Sequence, residues 1–513
     1  MVFFRERWYV LPVLSAILLV AALPPIEVWL LAIVGLAPLF YAATLYSLTD
    51  LRRVAYTGAL AGALLIFSLY YLTLFQFHWL PGSEGLVNLV RAGIIPATLG
   101  GAVLMALCLC LYACLRGESR ILNGLVGGAS YMIFELIFNT AFQGYYTGVL
   151  GYMFADVSFV RSYASFGGVY LVSFLVAVLS CIVAEIAVRP PRFSTSVIVS
   201  TSLVTTAFLV VGVQAANYLA EPAGSERVFS LAIVQPGNRE DTVFEMAASQ
   251  MIKEGVEEEV DMVIYPLSLF DGVLYEDEPP SSPLKGISMM RAGEWAAAAV
   301  PRDTLLVTWD SILRDGTLYN TFEFWRGGNS VSEYKKNTLH FLDHTPDWLE
   351  GSGIYTSPFT YRAGEESGPS MVDGLPIGAL ICSELVQDSA VAARAKESSL
   401  LLAIGSESMF LDDTIGTFSL RVAQFRAAQY NLPVIRASSL GPSSVVARDG
   451  QVLARIPWGE PTTLVQDIQL GVPKWTLYAY AGYLPLYLFW GSVLLCALWM
   501  HRRAIFPGMR GWW

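Results

Sequence analysis

Gly378-Ala379-Leu380-Ile381-Cys382-Ser383-Glu384-Leu385 runs from a short apolar stretch into a cysteine, with a carboxylate two positions later. The apolar run reads as a buried strand, so Cys382 stands where the strand ends and the chain turns. The chain has six cysteines, and the other five (Cys108, Cys110, Cys114, Cys181, Cys496) lie in long hydrophobic segments. Cys382 is thus the one thiol outside the apolar stretches, with no disulfide partner beside it. A small buried hydrophobe is the plain reading of such a cysteine. A reactive thiol is the alternative, and the rest of the chain decides between them.

The chain of 513 residues is 54% hydrophobic and only 15% charged. Its apolar residues concentrate in 8–217 and again in 478–500, whereas 218–477 has mixed, globular composition. That middle stretch is long enough for one large domain with its own core. A net charge of −11 argues against nucleic acid as a partner.

A membrane-spanning helix takes roughly 20 apolar residues. Spans are expected at about 9–23, 25–47, 56–79, 89–115, 121–139, 162–188, 195–216 and 478–500. The first is short and Leu23-Pro24-Pro25 follows it, so the first two form a hairpin or re-entrant pair. A cleavable signal peptide fits less well, because no small-residue cleavage site precedes Pro24 and further spans follow at once. Eleven arginines (5, 7, 52, 53, 116, 120, 189, 192, 502, 503 and 510) fall in one set of connections, against only Arg91 and Arg161 in the other. By the positive-inside rule both termini are cytoplasmic, and 218–477 lies on the outer side. The segments Phe138–Tyr146 and Phe166–Tyr170 are aromatic and carry glycine; each reads as an interfacial belt with close helix packing, or as a lipid-facing approach to the outer domain. His78, at a span end, reads as an interfacial anchor.

Within 218–477 short strand-like runs alternate with helical stretches. Strands are expected at 229–235, 262–265, 305–309, 319–325, 332–334, 378–382, 399–404 and 433–437. Helices are expected at 241–259, 285–300, 388–396 and 417–430, with a hairpin around Arg448-Asp449-Gly450. Such alternation implies a layered α/β domain. The sequence offers no Gly-rich phosphate loop, no CxxC pair and no histidine cluster, so nucleotide and zinc sites find no support and no cofactor is expected. A thiol nucleophile needs a lowered pKa, a proton acceptor and a group that stabilises the oxyanion it creates. Lys335 and Lys336, beside a strand end, could serve the first and last of these; a surface lysine pair is the plain alternative.

Taken in order, these motifs resemble the apolipoprotein N-acyltransferase family of bacterial envelopes, polytopic membrane proteins with an inserted nitrilase-like (carbon–nitrogen hydrolase) αββα domain. Leu23-Pro24-Pro25 and Leu36-Ala37-Pro38-Leu39 are similar to that family's first spans, and Gly144-Tyr145 with Gly167-Gly168-Val169-Tyr170 to its later ones. Ile233-Val234-Gln235-Pro236-Gly237-Asn238 resembles the start of the nitrilase domain. Tyr319-Asn320-Thr321, Tyr334-Lys335-Lys336-Asn337-Thr338-Leu339 and Ile381-Cys382-Ser383-Glu384 follow, then 421–426, 433–437 and 450–455. The Tyr-x-Lys-x-x-Leu pattern picks Lys336 over Lys335.

The resemblance implies three parts: a membrane domain over 1–217, a periplasmic nitrilase-like domain over 218–477, and a last span with a cytoplasmic tail over 478–513. It implies residence in the bacterial inner membrane. It implies a Glu–Lys–Cys triad that takes an acyl chain from a phospholipid as a thioester and passes it to the amine of a diacylglyceryl-cysteine in an apolipoprotein. Cys382 is then the nucleophile, and Lys336 stabilises the oxyanion. Two departures bear on this. The family's Trp-Pro-Glu reads here as Tyr265-Pro266-Leu267, and its Pro-Phe-Gly-Glu as Phe341-Leu342-Asp343-His344. Ser383 also replaces a tyrosine, and Phe244 a tryptophan. Leu267 cannot accept a proton, and a general base is worth about 10²–10⁴-fold. Glu384 is the favoured substitute, ahead of Asp343, His344 and Asp271. Leu267 equally suits a catalytically impaired paralogue that binds lipid or lipoprotein without turnover. A third reading, an envelope amidase using water, does not explain the many apolar segments.

Overall fold

The structure, a computed structural model, describes residues 7–505 apart from 24–25, 47–49, 74–83, 142–146, 190–194, 222–226, 238–258, 267–272, 276–285, 341–342, 346–349, 351–356, 358–359, 366–367, 408–409 and 411. Leu267, Asp271, His78, Phe244, the segment 142–146 and nearly all of the helix expected at 241–259 therefore lie outside the described residues. The chain divides into two compact units, one of residues 1–75, 90–218 and 480–513, the other of 76–89 and 219–479.

The first unit is helical: α1 (Val10–Ala22), α2 (Leu30–Gly35), α3 (Ala37–Tyr46), α4 (Leu51–Thr73), α5 (Glu84–Leu115), α6 (Arg120–Ala141), α7 (Ser158–Arg161), α8 (Ala164–Val188) and α9 (Thr195–Ala220), with α14 (Leu484–Ile505) from the far end of the chain. Among the described residues four helical stretches are long and apolar enough to cross a membrane: Gly93–Leu115, Arg120–Ala141, Ala164–Val188 and Leu484–His501. Val10–Ala22, Leu30–Tyr46 and Thr206–Ala220 are apolar but shorter. Four is fewer than the eight spans expected from hydropathy. The expected span over 25–47, for instance, is broken into α2 and α3, with Pro38 in the first turn of α3, where its missing N–H costs nothing.

Close packing in this unit depends on glycine. A Cβ on Gly128 of α6 would lie 2.7 Å from Val178 and 2.9 Å from Phe174 of α8, so only glycine lets these helices approach. Gly168 lies at a kink inside α8 with φ +67°, a conformation glycine adopts without strain. Glu185, fully buried in α8, is matched by Arg116 (2.6 Å), Tyr112 (2.9 Å) and Asn123 (3.0 Å), the pairing a buried carboxylate requires.

The second unit is built on two sheets. One has eight strands, in the order β14-β1-β2-β5-β3-β4, with β6 on β5 and β7 on β6. Its strands are β1 (Arg227–Gln235), β2 (Met262–Ile264), β3 (Val273–Tyr275), β4 (Gly286–Ser288), β5 (Leu305–Arg314), β6 (Thr317–Arg326), β7 (Asn329–Lys335) and β14 (Thr462–Leu470). The other has six, β13-β12-β11-β10-β9-β8. These are β8 (Ser370–Val372), β9 (Leu375–Ile381), β10 (Leu400–Gly405), β11 (Val434–Ser438), β12 (Ser443–Val446) and β13 (Val452–Ile456).

Strand alternation sends Leu231, Ile233, Ile264, Val307, Phe322 and Phe324 inward from the first sheet. Ile377, Ala379, Ile381, Leu402 and Ile404 come inward from the second, and together they form one core between the sheets. On the outer face of the first sheet, Ala232, Val234, Val263 and Leu306 meet Ala292, Ala296 and Ala299 of α10 (Met289–Ala299). On the outer face of the second lie α11 (Asp388–Ala395) and α12 (Thr414–Tyr430). Gly378 lets α11 close on β9, since a Cβ there would sit 2.8 Å from the Arg394 carbonyl oxygen. The short α13 (Leu477–Ala481) ends the unit. The result is an αββα sandwich.

Candidate active site

β9 delivers the cysteine. Ile381, its last residue, pairs in parallel with Ile404 of β10, and the chain then bends into a tight 3-10 turn, Cys382–Val386. Cys382 takes φ +51°. For a residue with a side chain this left-handed geometry costs roughly 1–2 kcal/mol. Cys382 is exposed while Ile381, Ser383, Glu384 and Leu385 are buried, so the bend lifts the sulfur out of the core.

Glu384 holds that bend. Its Oε2 accepts from the Ile381 amide (2.8 Å), and its Oε1 from the amides of Asn337 (3.0 Å) and Thr338 (2.9 Å). The Tyr334 hydroxyl lies 2.8 and 3.0 Å from the two oxygens. One fully buried carboxylate therefore ties the cysteine turn of one sheet to the end of β7 in the other. The expectation of Glu384 as substitute base meets a carboxylate whose two oxygens are already engaged, three of the contacts being backbone amides.

Lys336 follows β7 directly, and its amide donates to the Asn320 carbonyl at 2.8 Å. Alternation puts Tyr334 and Lys336 on the inward side and Lys335 on the other, where Lys335 pairs with Glu333 (3.1 Å) and lies over the Tyr319 ring (4.9 Å). Lys336 is 2% exposed, and its Nζ is 2.7 Å from Asp343 Oδ2. Burial acts to lower its pKa. The charge of Cys382, then that of Asp343 with its hydrogen bond, and finally that of Glu384 outweigh burial and hold the ammonium above the ordinary lysine value. The cysteine sulfur and the lysine ammonium are thus electrostatic neighbours.

Asp343, one of the carboxylates weighed from the sequence as a substitute base, lies against Lys336. His344 stands at the family's glutamate position, so the alignment leaves this loop without its carboxylate. The structure brings the carboxylate of Asp343, one residue earlier, onto Lys336. Asp343 Oδ2 also accepts from the His340 amide (2.7 Å), and the Asp343 carbonyl accepts from the Tyr361 amide (3.0 Å). The His340 imidazole is buried; burial first, then the Lys336 and His344 charges, push its pKa down to about 3, so it is neutral at neutral pH. The Tyr361 hydroxyl shares a 2.6 Å hydrogen bond with Ser311.

Another carboxylate flanks the turn. The point where a Cβ on Gly405 would sit is 3.7 Å both from Cys382 Cα and from Glu407 Oε1. Glu407 is buried and accepts from Arg436 and from the Ser438 hydroxyl. Sequence reasoning missed Glu407 and His340, and it gave Tyr334 only as the first residue of the lysine motif. The signal for Glu407 was its place two residues past the end of the strand that neighbours the cysteine strand. Of the missing-glutamate segment, Tyr265 is buried and its amide donates to Val307 (2.9 Å), while Leu267 itself lies outside the described residues. Among the described residues no group of three or more His, Cys, Asp or Glu is placed to hold a metal ion. A thiol lifted out of the core beside a buried ammonium is suited to attack on a carbonyl carbon.

The chain is similar to known proteins along most of its length. The apolipoprotein N-acyltransferase N-terminal domain profile matches residues 15–182, and the carbon–nitrogen hydrolase profile matches 231–474. Apolipoprotein N-acyltransferase of Vibrio vulnificus is 24% identical over 506 residues, 94% of this chain and 95% of that protein. The Haemophilus ducreyi protein of the same name is 22% identical over 87% of this chain and 88% of its own length. The Aquifex aeolicus protein is 24% identical over 61% of this chain and 68% of its own length.

Proposed function

The chain belongs to the apolipoprotein N-acyltransferase family, and from that premise we propose that it moves an acyl chain from a phospholipid, through a thioester on Cys382, to the N-terminal amine of a diacylglyceryl-cysteine in lipoproteins. The observation that carries the proposal is the exposed Cys382 turn beside the buried Lys336 ammonium. In this reading the sulfur attacks the ester carbonyl, the lysophospholipid leaves, and the amine then displaces the thiol. The Lys336 ammonium favours the thiolate and faces the oxyanion of each tetrahedral intermediate. Asp343 fixes the ammonium by its 2.7 Å contact. Glu384, with its oxygens engaged, acts as an anchor of the turn and not as a base.

The proposal extends to placement. The eight apolar segments, with basic residues concentrated in alternate connections, support eight spans over 1–217 and 478–513 in the bacterial inner membrane, both termini cytoplasmic and 218–477 periplasmic. Leu267 favours a second reading, an impaired paralogue that binds lipid or lipoprotein without turnover.

Mass spectrometry of the purified protein in phospholipid separates the two. Acyl transfer predicts a hydroxylamine-labile acyl group on Cys382, absent in Cys382→Ala and discharged by a diacylglyceryl peptide. An adduct that forms only in Leu267→Glu would overturn turnover by the native chain and leave the binding role.

A further inference from the structure

The turn that carries Cys382, Cys382–Val386, is too short to satisfy its own backbone. A helical turn leaves its first amides and its last carbonyls without partners inside it, and these must be met from elsewhere. Glu384 meets the amide side, where it accepts from Ile381 at 2.8 Å. The carbonyl side falls to Arg426 of α12. Its Nε donates to the Leu385 carbonyl (3.2 Å) and its Nη2 to the Val386 carbonyl (3.0 Å). A carboxylate at the amide end and a guanidinium at the carbonyl end match the direction of the turn's peptide dipoles.

Arg426 is itself fixed in place. It is 1% exposed, within a helix whose residues are nearly all buried. Its Nη1 donates to Gln429 Oε1 (3.0 Å) one turn on, and to Asp388, the first residue of α11. The Tyr478 hydroxyl lies 3.4 Å from the same Asp388 oxygen, and the Tyr478 ring meets Tyr430 edge-on at 5.5 Å. Both helices on the outer face of the second sheet thus share one guanidinium, and that guanidinium holds the nucleophile turn. A planar fork of donors can serve two carbonyls and a carboxylate at once in fixed directions, which a lysine ammonium cannot. A buried ion pair adds little stability over apolar side chains of the same volume. Its aim at the backbone of the turn points to geometry as its use.

Resting on the acyl-transfer reading above, we propose that Arg426 is a positioning residue for Cys382: by holding the Leu385 and Val386 carbonyls it fixes the turn, and with it the direction in which the sulfur meets the ester carbonyl. Its printed partners are the backbone of the turn, Gln429 and Asp388, so it acts on the thiol only through that backbone. Cys382 keeps its left-handed φ of +51° only while its surroundings over-determine it. Glu384 supplies that constraint at one end of the turn and Arg426 at the other. Without the guanidinium the two carbonyls lose their side-chain partner, and the turn can unwind from its carbonyl end and carry the sulfur with it. A nucleophile misplaced by about 1 Å loses on the order of 10²-fold in rate.

The test follows thioester formation on Cys382 over time, in the full-length protein mixed with phosphatidylethanolamine vesicles. Two quantities are read: the fraction of molecules acylated at completion, and the rate constant at which they react. A residue that only stabilises the fold changes the first, because misfolded molecules drop out and the rest react normally. A positioning residue changes the second. Arg426→Ala should be about 100-fold slower and Arg426→Lys about 10-fold slower, each with the wild-type fraction acylated and an unchanged half-saturating phospholipid concentration. Asp388 is a third exposed, so Asp388→Asn should fold normally and react about 3-fold slower, as the guanidinium loses one of its guides. Wild-type rate constants in the Arg426 variants, with or without a smaller acylated fraction, would overturn the assignment and leave acyl transfer intact. A raised half-saturating concentration would do the same by moving Arg426 to phospholipid binding. Should neither Arg426 variant fold, Asp388→Asn decides, and a wild-type rate constant there overturns the assignment. A wild type that forms no thioester at all would remove the acyl-transfer reading and this assignment with it.

Discussion

Cys382 sits at φ +51°, and the structure holds it there from both sides: β9 ends at Ile381, and Glu384 accepts the Ile381 amide. Strain of this kind persists where neighbouring contacts over-determine the backbone. It can be measured by comparing two substitutions that both remove the sulfur. Alanine keeps the Cβ and therefore the strain, whereas glycine relieves it at the cost of a more flexible unfolded chain. Cys382→Gly is expected to be more stable than Cys382→Ala by about 0.5–1 kcal/mol, read as a higher thermal midpoint in detergent, with acyl capture absent in both. Equal midpoints would mean that the turn is unstrained. The cysteine was readable from the chain because an apolar run that stops at a thiol, with no other thiol outside the apolar segments, is a local pattern. Lys336 was separable from Lys335 by its motif, and strand alternation gives the same choice independently, since Lys335 turns away to Glu333 and Tyr319.

Between elements, the two sheets meet at the site through Glu384. Its partners at Asn337 and Thr338 lie 47 and 46 residues earlier in the chain. Spacing along the sequence therefore showed a carboxylate near the cysteine but not what it binds. Asp343 was named as a possible substitute base, but its contact with Lys336 was not foreseen, because a position in a loop does not fix which side chain reaches the lysine. The long strands and helices of the α/β unit were legible from their periodicity, including α12 and β5 through β7. Of the three-residue strands, β2 was legible as an apolar run stopped by Pro266, whereas β3, β4 and β8 were not, and β14 owes its place to pairing with β1 across the whole unit. Glu384→Gln tests the anchor. The amide nitrogen of glutamine must then face a donor, Ile381 N–H or one of Asn337 and Thr338, so at least one buried donor goes unmatched. The expected cost is about 1–3 kcal/mol, seen as a lower thermal midpoint together with slower thioester formation. A residue acting only as a base would lose rate with its midpoint unchanged, and that outcome would restore the catalytic role.

For the whole molecule, the question is which side of the membrane the catalytic unit faces. Among the described residues four of the apolar runs form helices long and apolar enough to cross a membrane, but hydropathy does not see backbone breaks, which is why the stretch over 25–47 divides into α2 and α3. Orientation rests on a different signal, the arginines crowded into alternate connections. Cys382 gives a direct readout. It is exposed in the α/β unit, whereas Cys108, Cys110, Cys114, Cys181 and Cys496 all lie within apolar helices. A charged maleimide cannot cross a bilayer, because moving an ion through hydrocarbon is costly. Added to intact spheroplasts, it should label the wild type and not Cys382→Ala. Labelling of Cys382 that appears only after the membrane is opened would put the α/β unit in the cytoplasm. That would also remove the acceptor from reach, since the proposed chemistry requires the thioester and the lipoprotein amine on the same face of the membrane.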